Sequence, residues 1–197
     1  MSRFFIKGSN STVSADSADY LLRKRIIFIN DAITPKLAAE VTRDLLILGS
    51  ESDKPITIVI DSPGGNTDAG LAIIDMMRIV DCPIKCFCTC LAASMAAVIF
   101  TQGDERLMLE HARLMLHETK VMGDITGGSE TLREITKRLG ETDDVINELV
   151  SRKSGKTKKE IAKLCSFDNF MTAEQAIKLG FADKTADRLS MIMEEEI

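Results

Sequence analysis

A serine at position 94 stands in a run of small and apolar residues, Leu-Ala-Ala-Ser-Met-Ala-Ala-Val-Ile-Phe at 91–100. Two roles are open to it. Serines that face the core from the middle of a helix are common and inert. A nucleophilic serine, by contrast, benefits from small neighbours because a substrate backbone can then reach its hydroxyl. A nucleophilic Ser94 would also need a base to take its proton and a third group to orient that base.

The chain has only two histidines, which narrows the choice of base. His117 follows an apolar strand predicted at 113–116, and α/β folds place catalytic groups at the ends of strands. His111 follows Glu110 in a predicted turn. A histidine at a strand end is more often structural, so its position alone leaves both interpretations of His117 open.

Two glycines follow a predicted buried strand in the segment 61–66, Asp-Ser-Pro-Gly-Gly-Asn. Such a turn lets another backbone come close and presents free N–H groups, which could hold an extended peptide or stabilise a tetrahedral oxyanion. Met95, directly after Ser94 at a helix N-terminus, would offer a second N–H donor. The alternative is a tight strand-to-helix turn without further function.

The elements that would position these residues alternate between strand and helix. We predict strands at 25–29, 55–60, 84–89, 105–109 and 113–116, and helices at 34–48, 67–80 and 92–101. This alternation predicts an α/β fold with right-handed crossovers. After an irregular segment at 119–128, apolar spacing predicts a long helix at 129–153, which could pack on its own domain or on a neighbouring subunit. Capping patterns at Thr157 and Thr172 predict two further helix starts, and Gly180 predicts a helix end.

Composition excludes several classes of partner. A formal net charge of -5 without a basic stripe argues against a nucleic acid. No apolar run has the length of a signal peptide or of a bilayer span, so we expect no membrane partner.

Cys86, Cys88 and Cys90 alternate along one predicted strand, where they would act as small hydrophobic residues on one face. Zinc is the alternative, but no Cys-x-x-Cys pair supports it, so we expect no metal and a reducing cytoplasm.

Five segments, taken in order along the chain, match the motifs of a known family: 22–28 (Leu-Arg-Lys-Arg-Ile-Ile-Phe), 61–65 (Asp-Ser-Pro-Gly-Gly), 92–97 (Ala-Ala-Ser-Met-Ala-Ala), 116–117 (Leu-His) and 168–173 (Asp-Asn-Phe-Met-Thr-Ala). Glu174, Ala176, Gly180 and Asp183 follow them. Together, over about residues 21–183, they resemble the proteolytic subunits of the Clp protease family (ClpP), serine peptidases of the crotonase-like superfamily. Each segment alone is weak, but their order and intervals are specific.

The resemblance implies an α/β crotonase-like fold, a spiral of β-β-α units with a projecting handle helix. It implies a mobile N-terminal axial arm at 1–20, a single peptidase domain at 21–197 and a handle region at about 119–153. Ser94 would be the nucleophile, His117 the general base and then acid, and Asp168 the carboxylate that orients the imidazole. Backbone N–H groups of Gly65 and Met95 would form the oxyanion hole, and a strand at about 121–126 would lie beside the substrate.

The resemblance also implies partners. Members of this family form homo-oligomers of two stacked heptameric rings that enclose a chamber, with the handles interdigitating between the rings. An AAA+ unfoldase such as ClpX, ClpA or ClpC threads unfolded polypeptide into the chamber. Because the unfoldase consumes the ATP, the peptidase subunit needs no cofactor. We therefore expect a cytoplasmic serine endopeptidase that acts on unfolded polypeptides.

The chain departs from the family pattern in four respects. Glu118-Thr119 replaces the usual Gln-Pro after the histidine, and the loop that follows is about two residues longer. Ser166-Phe167 replaces an acidic-Arg pair that couples ring contacts to the site. Thr57 and Val59 replace two tyrosines of the unfoldase-docking pocket, and Cys90 replaces a glycine.

Two alternatives to the active peptidase therefore stay open. One is a weakly active or regulatory subunit that needs a second subunit type in a mixed ring. The other is a crotonase-type acyl-CoA hydratase or isomerase, which would need acid-base carboxylates in place of the serine and a pocket for CoA; the presence of Ser94 with His117 argues against it.

Overall fold

The computed structural model describes residues 3–7, 12–121, 123 and 126–193. The strands are β1 (Arg3–Lys7), β2 (Thr12–Asp16), β3 (Ile26–Ile29), β4 (Ile56–Ser62), β5 (Ile84–Ala93), β6 (Glu105–Met108), β7 (Arg113–Leu116), β8 (Asn169–Thr172) and β9 (Lys184–Thr185). The helices are α1 (Ser17–Arg23), α2 (Pro35–Glu51), α3 (Thr67–Ile79), α4 (Met95–Thr101), α5 (Ser129–Ser154), α6 (Lys158–Cys165) and α7 (Ala173–Lys178), with a 3-10 turn at Leu189–Met191. The predicted α/β class is confirmed.

Strands β3, β4, β5, β6 and β9 pair in that order as a parallel sheet. Strand β5 changes partner along its length: residues 85–88 pair with β6, and residues 91–93 pair in parallel with β7. Strand β8 then runs antiparallel to β7. The second half of β5 thus brings the ends of β7 and β8 next to the start of α4.

Alternating residues of the sheet build two apolar layers, as a side-chain period of two requires. One set packs with the helices into the main core: Ile27, Ile29, Ile56, Ile58, Ile60, Cys86 and Cys88. The opposite set is Ile26, Val59, Phe87 and Leu107, which the segment after β9 covers with Met191, Ile192 and Met193. The hydroxyl of Thr57 and the ammonium of Lys85 bind the carbonyls of Ile192 and Met191 at 2.9 and 2.6 Å.

Local signals explain the helix ends. The side-chain oxygen of Thr34 accepts a hydrogen bond from the N–H of Leu37, and Pro35 is the first residue of α2. Thr157 and Thr172 each form a capping box with the residue three positions later. Gly180 follows α7 with a φ of 79°, a left-handed conformation that favours glycine. These predicted boundaries are confirmed.

Two predictions about β5 were wrong. Ala92 and Ala93, predicted to begin a helix, belong to the strand, because pairing with β7 outweighs the helix propensity of alanine. Cys90 was predicted to share the buried face of Cys86 and Cys88 but is exposed. Cys88 pairs with Ile60 while Ala92 pairs with Ser62, so β5 bulges between these pairs and the alternation is broken.

The segment 1–20, expected to be a mobile arm, contains the antiparallel pair β1–β2 and the start of α1. Helix α1 crosses the domain boundary expected after residue 20, and Leu22 packs on the main core. The mobility of the arm stays a prediction. No helix within the described ranges is both long and apolar enough to cross a membrane.

Substitution of Phe100 measures how much the packing of α4 in the core contributes to the free energy of unfolding. Its side chain is 0% exposed, whereas that of Phe167 is 63% exposed. We expect Phe100→Ala to lower the free energy of unfolding by about 3–5 kcal/mol, because it removes a buried ring and leaves a cavity. Phe167→Ala, the matched control, should change it by less than about 0.5 kcal/mol. Urea unfolding at one protein concentration compares the two, and equal losses would contradict the assignment of Phe100 to the core.

Candidate active site

Ser94 occupies the turn between β5 and α4. Its backbone has φ 54° and ψ -127°, a conformation that L-residues rarely adopt and that costs free energy. The turn is held because the N–H of Ser94 donates to the carbonyl of Met115 at 2.8 Å, and the N–H of Ala97 donates to the carbonyl of Ser94 at 3.0 Å. Ser94 is half-buried and lines a cavity. The prediction of a mid-helix serine is therefore excluded.

Gly64 packs directly against this turn. A Cβ on Gly64 would lie 2.6 Å from the carbonyl oxygen of Ala93, 2.6 Å from Cβ of Ser94 and 2.9 Å from the nitrogen of Met95. Its φ of 89° also favours glycine. The glycine segment thus forms a bare backbone surface on which the Ser94 turn rests.

Two residues with free backbone N–H groups line the same cavity. Around the glycines, the N–H of Gly64 donates to Oγ of Ser62, the N–H of Ile33 donates to the carbonyl of Gly64, and the N–H of Asn66 donates to the carbonyl of Ile33. None of these hydrogen bonds uses the N–H of Gly65. Met95 is the first residue of α4, and N–H groups in the first turn of a helix have no acceptor within the helix. Gly65 and Met95 both line the cavity and can donate to a developing oxyanion.

His117 follows β7, and Ser94 follows the segment of β5 that pairs in parallel with β7. The register pairs Ala93 with Met115, so Ser94 and His117 lie at the carboxyl ends of adjacent strands. Both line the cavity. The structure thus brings together the serine and the histidine that the sequence singled out.

Asp168 lies near His117. The last antiparallel pair of β7 and β8 is Leu116 with Asn169, so His117 directly follows β7 and Asp168 directly precedes β8 at the same end of the pair. The charge of His117 is also felt by Asp168, as expected for neighbouring side chains. A hydrogen bond between the carboxylate and the imidazole is the interaction that this placement suggests.

That hydrogen bond is not formed. Nδ1 of His117 is buried without a partner, an arrangement that costs about 1–3 kcal/mol. Instead, Nζ of Lys120 lies 2.5 Å from Oδ1 of Asp168. The hydrogen bond from Lys120 holds the pKa of Asp168 below its usual value, with a smaller contribution from the charge of His117. Asp168 is therefore ionised at neutral pH.

The cavity has a volume of about 610 Å³. Met95, Val98 and Ile146 give it an apolar side, and Thr67, Thr119 and Lys120 give it a polar side. A space of this size and mixed character fits a short stretch of peptide with one apolar side chain. Asp168 does not line it, which suits a group that acts through His117.

Sequence reasoning missed two residues near the site. Lys120 pairs with Asp168, and Asp143 of α5 accepts the N–H of Thr119 at 2.8 Å. No motif or periodicity marks either residue. The strand predicted at 121–126 lies partly outside the described residues, because 122, 124 and 125 are not among them. Where the chain is described, no three His, Cys, Asp or Glu side chains are grouped as metal ligands.

Comparison with known proteins yields two likenesses. A family model described as Clp protease matches residues 9–188. A protein of Shouchella clausii named "ATP-dependent Clp protease proteolytic subunit 1" is 38% identical over 173 residues, which cover 86% of this chain and 89% of that protein.

Gly64→Ala tests the contact between the glycine turn and Ser94. The added methyl group overlaps Ala93, Ser94 and Met95, so we expect a lower melting temperature and much slower covalent labelling of Ser94 by a fluorophosphonate. Gly140→Ala is the control, since nothing lies within 4 Å of a Cβ there. In mid-helix it should stabilise the chain by about 0.5–1 kcal/mol. Unchanged labelling in Gly64→Ala would mean that the turn does not set the position of Ser94.

Proposed function

The chain belongs to the Clp protease family of serine proteases, and on that premise we propose that Ser94, His117 and Asp168 are its catalytic triad. The substrate class we propose is unfolded polypeptide. The observation that carries the assignment is that Ser94 and His117 line one cavity, which Gly65 and Met95 also line.

The proposed reaction begins with the hydroxyl of Ser94. His117 takes its proton while Oγ bonds to the scissile carbonyl carbon, and the N–H groups of Gly65 and Met95 stabilise the resulting oxyanion. His117 then gives the proton to the leaving amine, and the carbon–nitrogen bond breaks. Water repeats the sequence on the acyl-enzyme, so that a carboxylic acid leaves and Ser94 is restored. Asp168 orients the imidazole and stabilises its charged form.

We further propose assembly into two stacked heptameric rings through α5. The buried side chains of this helix are Ile146, Leu149 and Val150, near its C-terminal end. Leu132 and Val145 are 48% and 46% exposed, so an apolar part of the helix is open to a neighbour. In this proposal, residues 21–197 are one peptidase domain and 119–153 its handle.

An AAA+ unfoldase is the proposed delivery partner, in the cytoplasm. The five cysteines are free, which fits a reducing compartment. A cavity of about 610 Å³ accepts an extended segment but not a folded domain, so unfolding must precede cleavage. Thr57 and Val59 stand where the family has its docking tyrosines, and the segment at 191–193 covers both residues. Docking at this face would therefore displace that segment.

One observation favours the second candidate, a weakly active subunit that a different subunit activates. Asp168 is bound to Lys120, and Nδ1 of His117 has no partner. In a mixed ring, contacts of the second subunit with the handle would realign the three residues.

Ser94→Ala should abolish peptide cleavage and fluorophosphonate labelling without unfolding the chain. A small residue replaces a small one, and the nucleophilic oxygen is lost. The measurements are peptide turnover, mass-spectrometric mapping of the labelled residue and circular dichroism. Undiminished turnover would refute the nucleophile. A wild-type protein that folds but is not labelled at all would favour the subunit that needs activation.

Asp168→Asn should slow peptide turnover by about 10²–10⁴-fold, because an amide cannot stabilise the charged imidazole. Ring assembly, measured by sedimentation velocity, should not change, since Asp168 is exposed and packs in no core. Near-normal turnover would mean that another acceptor orients His117.

A further inference from the structure

Lys120 holds the carboxylate that His117 needs. Its Nζ lies 2.5 Å from Oδ1 of Asp168, while Nδ1 of His117 is buried and unpaired. Asp168 nevertheless lies near His117, because His117 directly follows β7 and Asp168 directly precedes β8 at the end where Leu116 pairs with Asn169. One carboxylate therefore faces an ammonium and an imidazole, and it is bound to the ammonium.

We propose that Lys120 is a positioning residue that withholds Asp168 from His117, so that the site becomes fully competent when this ion pair opens. The proposal rests on the triad proposed above. Lys120 acts through Asp168 and takes no part in bond making. It stands three residues after the histidine, in the segment where Glu118-Thr119 departs from the family pattern.

The ion pair is of a kind that opens easily. The side chains of Lys120 and Asp168 are 47% and 54% exposed, so water and salt screen their attraction. Holding the long lysine side chain in one conformation also costs entropy. Opening is also favoured because Nδ1 of His117, which is buried without a hydrogen-bond partner, gains one when Asp168 is released.

Neighbouring charged groups do not take the place of Asp168. Asp143 of α5 is engaged by the N–H of Thr119 at 2.8 Å. The N–H of Glu118 donates to the carbonyl of Cys165 at 2.7 Å, and Glu118 itself is exposed. Asp168 is therefore the acceptor for which Lys120 and His117 compete.

Lys120→Met removes the ammonium and keeps an unbranched apolar chain. We expect kcat for a short peptide and the rate of Ser94 labelling to rise by about 1.5-fold to fivefold, the range that one exposed ion pair allows, with KM unchanged. Lys120→Arg keeps a cation beside Asp168 and should stay near the wild-type rate. Lys163→Met, the same change at an exposed lysine of α6, is the matched control and should alter neither rate.

Two further measurements show whether Lys120 acts through Asp168. In an Asp168→Asn background, Lys120→Met should give no acceleration, because the group it competes for is gone. Raising the salt concentration should increase kcat of the wild type more than kcat of Lys120→Met.

Several outcomes overturn the proposal: no acceleration in Lys120→Met, an equal acceleration in the Asp168→Asn background, or a change in KM alone, which would make Lys120 a substrate contact. Failure of the proposed function looks different. If Ser94→Ala still cleaves the peptide, the triad itself is wrong, whatever Lys120 does.

Discussion

The contact between the bare backbone of Gly64 and the Ser94 turn is the constraint on which the site depends. Ser94 keeps an unfavourable backbone conformation because the glycine turn on one side and the Met115 carbonyl on the other leave it no alternative. Gly65 and Met95, on either side of this contact, both line the cavity. The proposed nucleophile and its proposed oxyanion donors thus share one small packing surface.

Strand β5 supplies the second half of this geometry by changing partners. While it pairs with β6 it belongs to the main sheet, and its alternate residues fill the core. After its bulge it pairs with β7, and that pairing brings His117 to Ser94. The antiparallel β8 begins directly after Asp168 and pairs Asn169 with Leu116, so that Asp168 lies near His117. Three strand ends therefore converge without long loops having to be fixed in place.

Much of this was predictable from the sequence, and the exceptions have physical reasons. Helix starts at Thr34, Thr157 and Thr172 follow from local capping, which short windows of sequence contain. The strand character of Ala92 and Ala93 depends on pairing with a strand about twenty residues later, which outweighs the preference of alanine for helix. The choice of Lys120 as the partner of Asp168 depends on a contact between distant segments, and no local pattern encodes it.

Helix α5 has a mechanical consequence. At ~1.5 Å per residue it is about 39 Å long. Its first ten residues, 129–138, are exposed except for the half-buried Ile135. In the second half of α5, Asp143 accepts a hydrogen bond from the backbone N–H of Thr119, two residues after His117. Arg106 ties the C-terminal end of α5, through the carbonyl of Lys153, to β6. Because the C-terminal end is anchored and Asp143 lies between it and the exposed N-terminal turns, the helix has the arrangement of a lever: a force on those turns would be transmitted to the backbone two residues after His117.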